Sequence, residues 1–418
     1  MSTQIYESNR NFSDEYYQVY DMNYEFYRDY FSETSLAVIT GIQTFGVPLI
    51  LFPGILGNIL SLVVFMKTHL KVQATSMYLA ALNISDLAFL LTLLPHWLPW
   101  LGHARWLLTT SGWCQTTMWL NMLFAFLSFW MVVCLSAERY IAVFHPWHRQ
   151  RFCRHKPALY VILILVAAGC AVTSYPLWTV ESVQWYGENM CLPSEGIPRE
   201  VLQTLVTADT LLRFVLPALL TIVLNGRIGY HIMTMRRRKR RRKQTGSDSL
   251  PSKAPQHQNS TQAAHGRSTQ NATEKLRIAS IRRVSGSRVA CSVEYVSTTK
   301  KTSLQRLALM TEKYKRSGDT RRRGQMRATR SLVAITSAFF LLNLPHFVMR
   351  VQSDIITTFQ LQPTRNAATH IWQEVALLLY YLNFSANFFM YCLVSRHFRC
   401  GLKRLFLRFK RNLCHSTK

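Results

Sequence analysis

At 418 residues the chain has room for about two or three soluble domains, but its apolar residues gather into long blocks separated by short polar stretches. The formal net charge of +28 lies almost entirely outside those blocks, and 26 Lys/Arg against 5 Asp/Glu between Arg236 and Arg330 supply three quarters of it. A nucleic-acid binder would carry such charge on a folded face with interleaved aromatics; here the aromatics sit in the apolar blocks, which argues against nucleic acid as a partner.

Residues 1–38 read as an acidic, tyrosine-rich tail. Its first 35 residues hold seven acids against Arg10 and Arg28, and tyrosines alternate with acids in Asp14-Glu15-Tyr16-Tyr17, Tyr20-Asp21, Tyr24-Glu25 and Tyr27-Arg28-Asp29-Tyr30. Such a tail steers a cation towards the surface behind it; the alternative is a solvating, disordered segment. No cleavable signal peptide is visible, so the first apolar block is expected to act as its own insertion signal.

Seven blocks follow, at residues 39–66, 76–101, 114–143, 158–180, 202–233, 331–351 and 371–394, each near the roughly 20 apolar residues that a bilayer core demands of a helix. Pro48, Pro53, Pro95, Pro99, Pro176, Pro217 and Pro345 fall inside them. Mid-helix prolines break helices in water, but neighbours in a membrane bundle satisfy the freed carbonyls. The expected fold is therefore an all-α membrane protein, a seven-transmembrane helix bundle. It divides into the tail 1–38, helices one to five in 39–235, a basic connection 236–326, helices six and seven in 327–394, and a last segment 395–418.

The connections alternate in charge. Lys67, His69 and Lys71 occupy the first; His148, Arg149, Arg151, Arg154 and Lys156 the third; the basic segment the fifth. Between them lie connections poor in Lys/Arg. Basic loops stay in the cytosol, so the amino terminus is expected outside, in a multi-pass plasma-membrane protein. Of five Asn-x-Ser/Thr sequons only Asn11-Phe12-Ser13 then lies outside, and Asn11 is the expected glycosylation site.

The fifth connection has no apolar periodicity and is expected to be disordered in its middle. Arg282-Arg283-Val284-Ser285 and Lys300-Lys301-Thr302-Ser303 place Ser285 and Ser303 in the basic setting that basophilic kinases favour. After the seventh block, Phe398, Leu402, Leu405, Phe406, Phe409 and Leu413 recur at helical spacing among Arg399, Lys403, Arg404, Arg408 and Lys410. That pattern predicts a short amphipathic helix on the lipid of the inner leaflet. Cys400 or Cys414 offers a palmitoylation site, Cys414 by its position; an unmodified thiol is the alternative.

Spaced polar residues in the blocks carry a resemblance. The first holds Gly57-Asn58 and the second Leu82-Asn83-Ile84-Ser85-Asp86-Leu87-Ala88. Cys114 opens the third, and Glu138-Arg139-Tyr140 closes it. Pro217 and Pro345 mark the fifth and sixth, and Asn387-Phe388-Phe389-Met390-Tyr391 the seventh. In this order, over about residues 39–413 less the long connection, the chain resembles the rhodopsin-like (class A) G-protein-coupled receptors.

The resemblance implies partners and roles. A heterotrimeric G protein would dock when the sixth helix swings outward and frees Arg139 from Glu138; the alternative is an arginine that snorkels at a helix end. Tyr140, Asn387, Tyr391, Pro217 and Pro345 would belong to that switch. Arrestin and a receptor kinase would act on the basic connection. An intramembrane acid is costly and functional by default, and the family binds sodium at this position; Asp86 with Ser128, Asn383 and Asn387, near Asn58, would hold the ion. The alternative is a neutral, hydrogen-bonded Asp86. No other cofactor is expected. Of nine cysteines only Cys114 and Cys191 lie on the oxidising side, and they are expected to form one disulfide.

Four positions depart from the family pattern: Leu165 to Ala168 replace the usual tryptophan of the fourth helix, Asn343 precedes Leu344-Pro345 where a tryptophan is common, Phe388 replaces a proline, and Asn225 replaces a tyrosine. Leu-Asn-Leu-Pro with Asn-Phe-x-x-Tyr is similar to invertebrate neuropeptide receptors of the RFamide and myosuppressin type. Asn121 stands where amine receptors place an aspartate, which disfavours a monoamine. The absence of a lysine in the seventh block excludes retinal.

An extracellular, cationic or amidated peptide is the expected ligand. Its candidate contacts are His96, Trp97, Gln115, Trp119, Asn121, Met122, Arg213, Arg350, Asp354 and Glu374. Asp354 and Glu374 would meet a cation, Arg213 and Arg350 a carboxylate or carbonyl. A chemokine-like or small-molecule ligand, or an orphan, constitutively active receptor, are alternatives. A transporter would show repeats or paired intramembrane charges, whereas the blocks are read as holding one central acid and no repeat. No nucleophile–base or metal-ligand cluster suggests an enzyme.

Overall fold

Helix is the answer that lipid imposes on these blocks, because only a helix satisfies every backbone polar group within the segment itself. The computed structural model describes residues 33–67, 74–101, 110–145, 147–148, 154–185, 188–194, 196–247, 329, 333–356 and 367–416. Asn11, Ser285 and Ser303 lie outside the described residues, as does the side chain of Cys414. Among the described residues, seven helices are long and apolar enough to cross a membrane: α1 (Glu33–Lys67), α2 (Thr75–Trp97), α3 (Trp113–Phe144), α4 (His155–Thr179), α5 (Arg199–Met235), α6 (Val333–Ile356) and α7 (Ala368–Val394). An eighth helix, α8 (Arg396–Ser416), follows α7. The first expected block starts earlier than read, at Glu33, and the sixth runs on to Ile356.

The chain divides into two units, Met1–Thr234 with Arg323–Lys418, and Met235–Arg322. The bundle is the first. Of the second, the described part is the end of a continuous helical stretch that runs from Leu216 to Ser247.

Within the bundle α3 is central: Ala125 to Phe129 and Met131 to Val133 are all buried. On α4, by contrast, Leu159, Tyr160, Val161, Leu163 and Ile164 are exposed, an apolar face suited to lipid rather than water. Glycine sets the distance between α1 and α7. A Cβ on Gly54 would collide with Ser385, and one on Gly57 would stand 2.9 Å from the Phe388 Cβ. Asn58 Nδ2 uses that proximity, donating to the Gly54 carbonyl at 3.0 Å and across to the Phe384 carbonyl at 2.9 Å.

Two prolines explain two local departures from α geometry. Ile42–Gly46 and Leu211–Val215 are π turns, and in each the next residue (Val47, Leu216) donates its N–H five residues back. Pro48 and Pro217 come immediately after. A proline has no N–H and its ring presses on the carbonyl four residues earlier; widening that turn relieves the clash.

The all-α expectation needs one addition. Between α4 and α5 the chain forms β1 (Val180–Trp185) and β2 (Glu188–Pro193), an antiparallel pair with Ser182 opposite Cys191. A disulfide joins Cys191 to Cys114 in the first turn of α3, with Cα atoms 5.7 Å apart. At the other end, α8 docks through Phe398, whose ring lies 5.5 Å from Phe65 and 5.4 Å from Tyr391. Arg399 Nη1 donates to the Cys392 and Leu393 carbonyls at 2.6 and 2.8 Å, capping the end of α7. Phe406 and Leu407 remain exposed on α8, as an apolar face for lipid requires.

Candidate functional site

α5 and α6 bring a charged cluster together at one end of the bundle. Arg213, in the π turn of α5, is 1% exposed and ion-paired with Asp209 four residues earlier. Its guanidinium carbon also lies 5.3 Å over the Phe214 ring. Arg350 of α6 is buried and reaches the Thr210 hydroxyl through Nε at 3.4 Å. Asp354, one turn further along α6, is hydrogen-bonded with Thr210 and lies in the field of Arg350, Asp209 and Arg213. Isolated charges so deep would be prohibitively costly; paired, hydrogen-bonded ones are tolerated.

Asp209 corrects the reading of one central acid. It is buried, as is Glu374 of α7, so the spans hold paired intramembrane charge as well as Asp86. The cue was legible: Asp209 and Arg213 share a helix face at a spacing of four. It also changes the part given to Arg213, since the carboxylate that meets this guanidinium is the chain's own.

Other candidate contacts separate into two groups. Glu374 stands apart from the arginines and accepts a hydrogen bond from Gln43 Nε2 of α1 at 2.5 Å. Asn121 Nδ2 donates to Thr92 Oγ1 at 3.0 Å, and His96 Nδ1 lies 2.9 Å from the Thr92 carbonyl. Trp119 packs on the main apolar core, and its buried indole N–H has no hydrogen-bond partner among the described residues. Three residues are spent on structure. Gln115 Oε1 accepts the Gly112 N–H at 2.6 Å and so closes the start of α3. Met122 packs with Tyr175, Leu202 and Val206. Trp97 meets Phe52 edge to face at 5.8 Å.

Midway through the bundle Asp86 is fully buried. Ser128 Oγ donates to its Oδ1 at 2.6 Å and Asn387 Nδ2 to its Oδ2 at 2.5 Å. Asn383 is buried, and its Nδ2 has no hydrogen-bond partner among the described residues. Asn58, grouped with this core by sequence, instead commits its amide nitrogen to the α1–α7 contact. Among the described residues no group of three His, Cys, Asp or Glu is placed to hold a metal ion. Carboxylate, hydroxyl and amide oxygens around Asp86 are nevertheless the hard donors that a small cation prefers. Asn343 Nδ2 turns back to the Phe339 carbonyl at 2.6 Å.

At the cytosolic end expected from sequence, Arg139 Nη2 pairs with Glu138 Oε2 at 3.0 Å. Thr75 of α2, which sequence reasoning passed over, joins both: its hydroxyl accepts from Arg139 and donates to Glu138 Oε1, the latter at 2.8 Å. Tyr140 packs on Phe144 with ring centroids 4.7 Å apart. Tyr391 is buried against Phe65 at 5.4 Å. Asn225, in its unusual position on α5, donates to Thr336 Oγ1 of α6 at 2.7 Å.

Comparison with known proteins identifies the family. The family model described as 7 transmembrane receptor (rhodopsin family) matches residues 57–391. The chain is 31% identical over 185 residues to the B1 bradykinin receptor of Sus scrofa, covering 43% of this chain and 50% of that one. Over 131 residues it is 29% identical to Neuropeptide receptor 15 of Caenorhabditis elegans, 30% of this chain and 37% of the relative. The Pyrokinin-1 receptor of Drosophila melanogaster is 28% identical over 185 residues, 44% and 42% of the two chains. The chain thus spans half or less of the length of these relatives.

Proposed function

Because the chain belongs to the rhodopsin family of seven-transmembrane receptors, we propose that it binds an extracellular peptide and activates heterotrimeric G proteins, without enzymatic activity of its own. It sits in the plasma membrane with the amino terminus outside, in keeping with the basic connections on the opposite side. The observation that carries this reading is charge held at both ends of one bundle. The Asp209, Arg213, Arg350 and Asp354 cluster lies at one end and the Thr75, Glu138 and Arg139 cluster at the other. The names of the relatives, a bradykinin, a neuropeptide and a pyrokinin receptor, support a peptide.

Mechanistically, an occupant acts only through its differential affinity for two states of the bundle. Asp354 and Glu374 offer carboxylates to a cationic group of the peptide. Arg350, beside Asp354, presents a guanidinium to a carboxylate or carbonyl, whereas Arg213 is held by the chain's own Asp209. Asn121 leaves a monoamine without a counter-charge on α3. On the cytosolic side Arg139 exchanges Glu138 and Thr75 for the G protein once α6 moves.

The test is nucleotide exchange on G protein in membranes bearing the full chain, driven by a library of cationic, amidated peptides. Arg139→Ala abolishes the response to the active peptide while its binding persists. Glu374→Gln raises the half-maximal concentration tenfold or more, since a hydrogen bond to a charged group contributes about 1.5–3 kcal/mol. Full exchange by the Arg139 variant would overturn the reading.

The residues around Asp86 fit a sodium ion: Asp86, Ser128, Asn383 and Asn387 would hold it, and it would supply the counter-charge that a buried carboxylate calls for. Sodium chloride, compared with choline chloride, then raises the thermal unfolding temperature of the purified chain, as binding to the folded state requires. Asp86→Asn removes the difference; an equal salt shift in that variant argues against the site.

A further inference from the structure

Directly beneath the outer charges, His346 of α6 stacks on Tyr380 of α7, with ring centroids 4.4 Å apart and planes tilted by 26°. Both are buried, at 7% and 2% exposure. His346 immediately follows Pro345, and a proline inside a helix removes one backbone hydrogen bond and marks where the helix bends. The stack sits on the very next residue, at that point of the helix.

Around the stack, the Phe214 ring lies 6.1 Å from both His346 and Tyr380 and 5.9 Å from Phe347. Arg350 and Arg213 lie within electrostatic range of the imidazole. Below, Phe214 meets Phe129 at 4.8 Å and Phe129 meets Phe339 at 4.9 Å, while Tyr380 meets Phe384 at 5.0 Å. Asn343, one turn towards the cytosol on α6, spends its amide on its own helix and so leaves the ring above it as a link to α7.

We infer that the His346–Tyr380 stack is the contact that sets the resting bend of α6, placing His346 as the positioning residue between the outer charge cluster and the cytosolic half of that helix. The inference rests on the receptor reading for its signalling consequence and on the geometry of the stack for its substance. A stack needs two aromatic rings, not a histidine as such, and this separates it from a general packing role.

Hydrogen–deuterium exchange of the full chain in lipid nanodiscs tests it. His346→Leu and Tyr380→Leu each raise exchange across residues 333–356 at least threefold and leave α4 unchanged. His346→Phe and Tyr380→Phe, which keep both rings, stay within twofold of the unsubstituted chain. The double leucine variant falls short of the sum of the single ones, because both singles already lose the shared contact. The inference is overturned if phenylalanine at 346 behaves like leucine, if the leucine variants leave α6 unchanged, or if their effects add. Agonist-free nucleotide exchange on a panel of G proteins, read from the same preparations, rises in the leucine variants. Faster α6 exchange with no response from any G protein overturns the receptor reading and leaves the contact standing.

Discussion

Asp209→Ala lowers the stability of the folded bundle by about 3–5 kcal/mol, the cost of leaving one charge of a buried pair without its partner. The pair is unusual in its depth: both side chains are 1% exposed, and both belong to α5. Neither charge can turn to water without moving the helix, so truncation leaves the guanidinium without its ion-pair partner, over the Phe214 ring and in the field of Asp354. The converse is equally specific. Asp209→Leu with Arg213→Met removes both charges, fills their volume and changes stability little, because burying an ion pair gains about as much as it loses. Thermal unfolding of the purified chain in detergent decides it. A single variant no worse than the double one would show that the two residues do not act as a pair.

Cys114→Ala removes the covalent tie between α3 and the β1–β2 hairpin and costs about 4 kcal/mol through the entropy returned to the unfolded chain. The closed loop is long, with 77 residues separating the two cysteines. Among the described residues the hairpin is also tied by a small apolar cluster of Cys114, Met118, Val180, Cys191 and Leu192, and by the Ser194 N–H to Thr179 carbonyl bond at 2.9 Å. The variant therefore fails to reach the cell surface in quantity. Cys191→Ala does the same, and the double variant is no worse than either, since only one bridge is lost. Surface labelling of intact cells measures this. Normal surface levels for a single variant, or a double variant twice as impaired, would count against a structural role for the bridge.

Much of this protein is legible because lipid simplifies the reading. The seven blocks appear as helices with ends shifted by a few residues, as at Glu33 and Ile356. The pairing of Cys114 with Cys191 was likewise within reach, since the expected topology left two cysteines on the oxidising side. The hairpin was harder to read. A six-residue strand in a polar connection gives little period-2 signal, and its register depends on where the disulfide anchors it. Thr75 was missed for a related reason: a threonine at a helix start is unremarkable until α2 brings it against Glu138 and Arg139 of α3.

Sequence by itself determined the number of spans and the covalent bridge, set an expected orientation, and singled out Asp86, Arg213, Arg350 and Glu374, while Asp209 passed unread. These follow from the cost of exposing backbone or charge to hydrocarbon, a cost that acts locally along the chain. The tertiary structure alone decided which partner each group takes. It gave Glu374 to Gln43, Asn121 to Thr92, Asn58 to the Phe384 carbonyl, Asn225 to Thr336 and His346 to Tyr380. Those choices depend on how helices distant in sequence rotate and approach, as at Gly54 and Gly57, and no periodicity within a single helix records that.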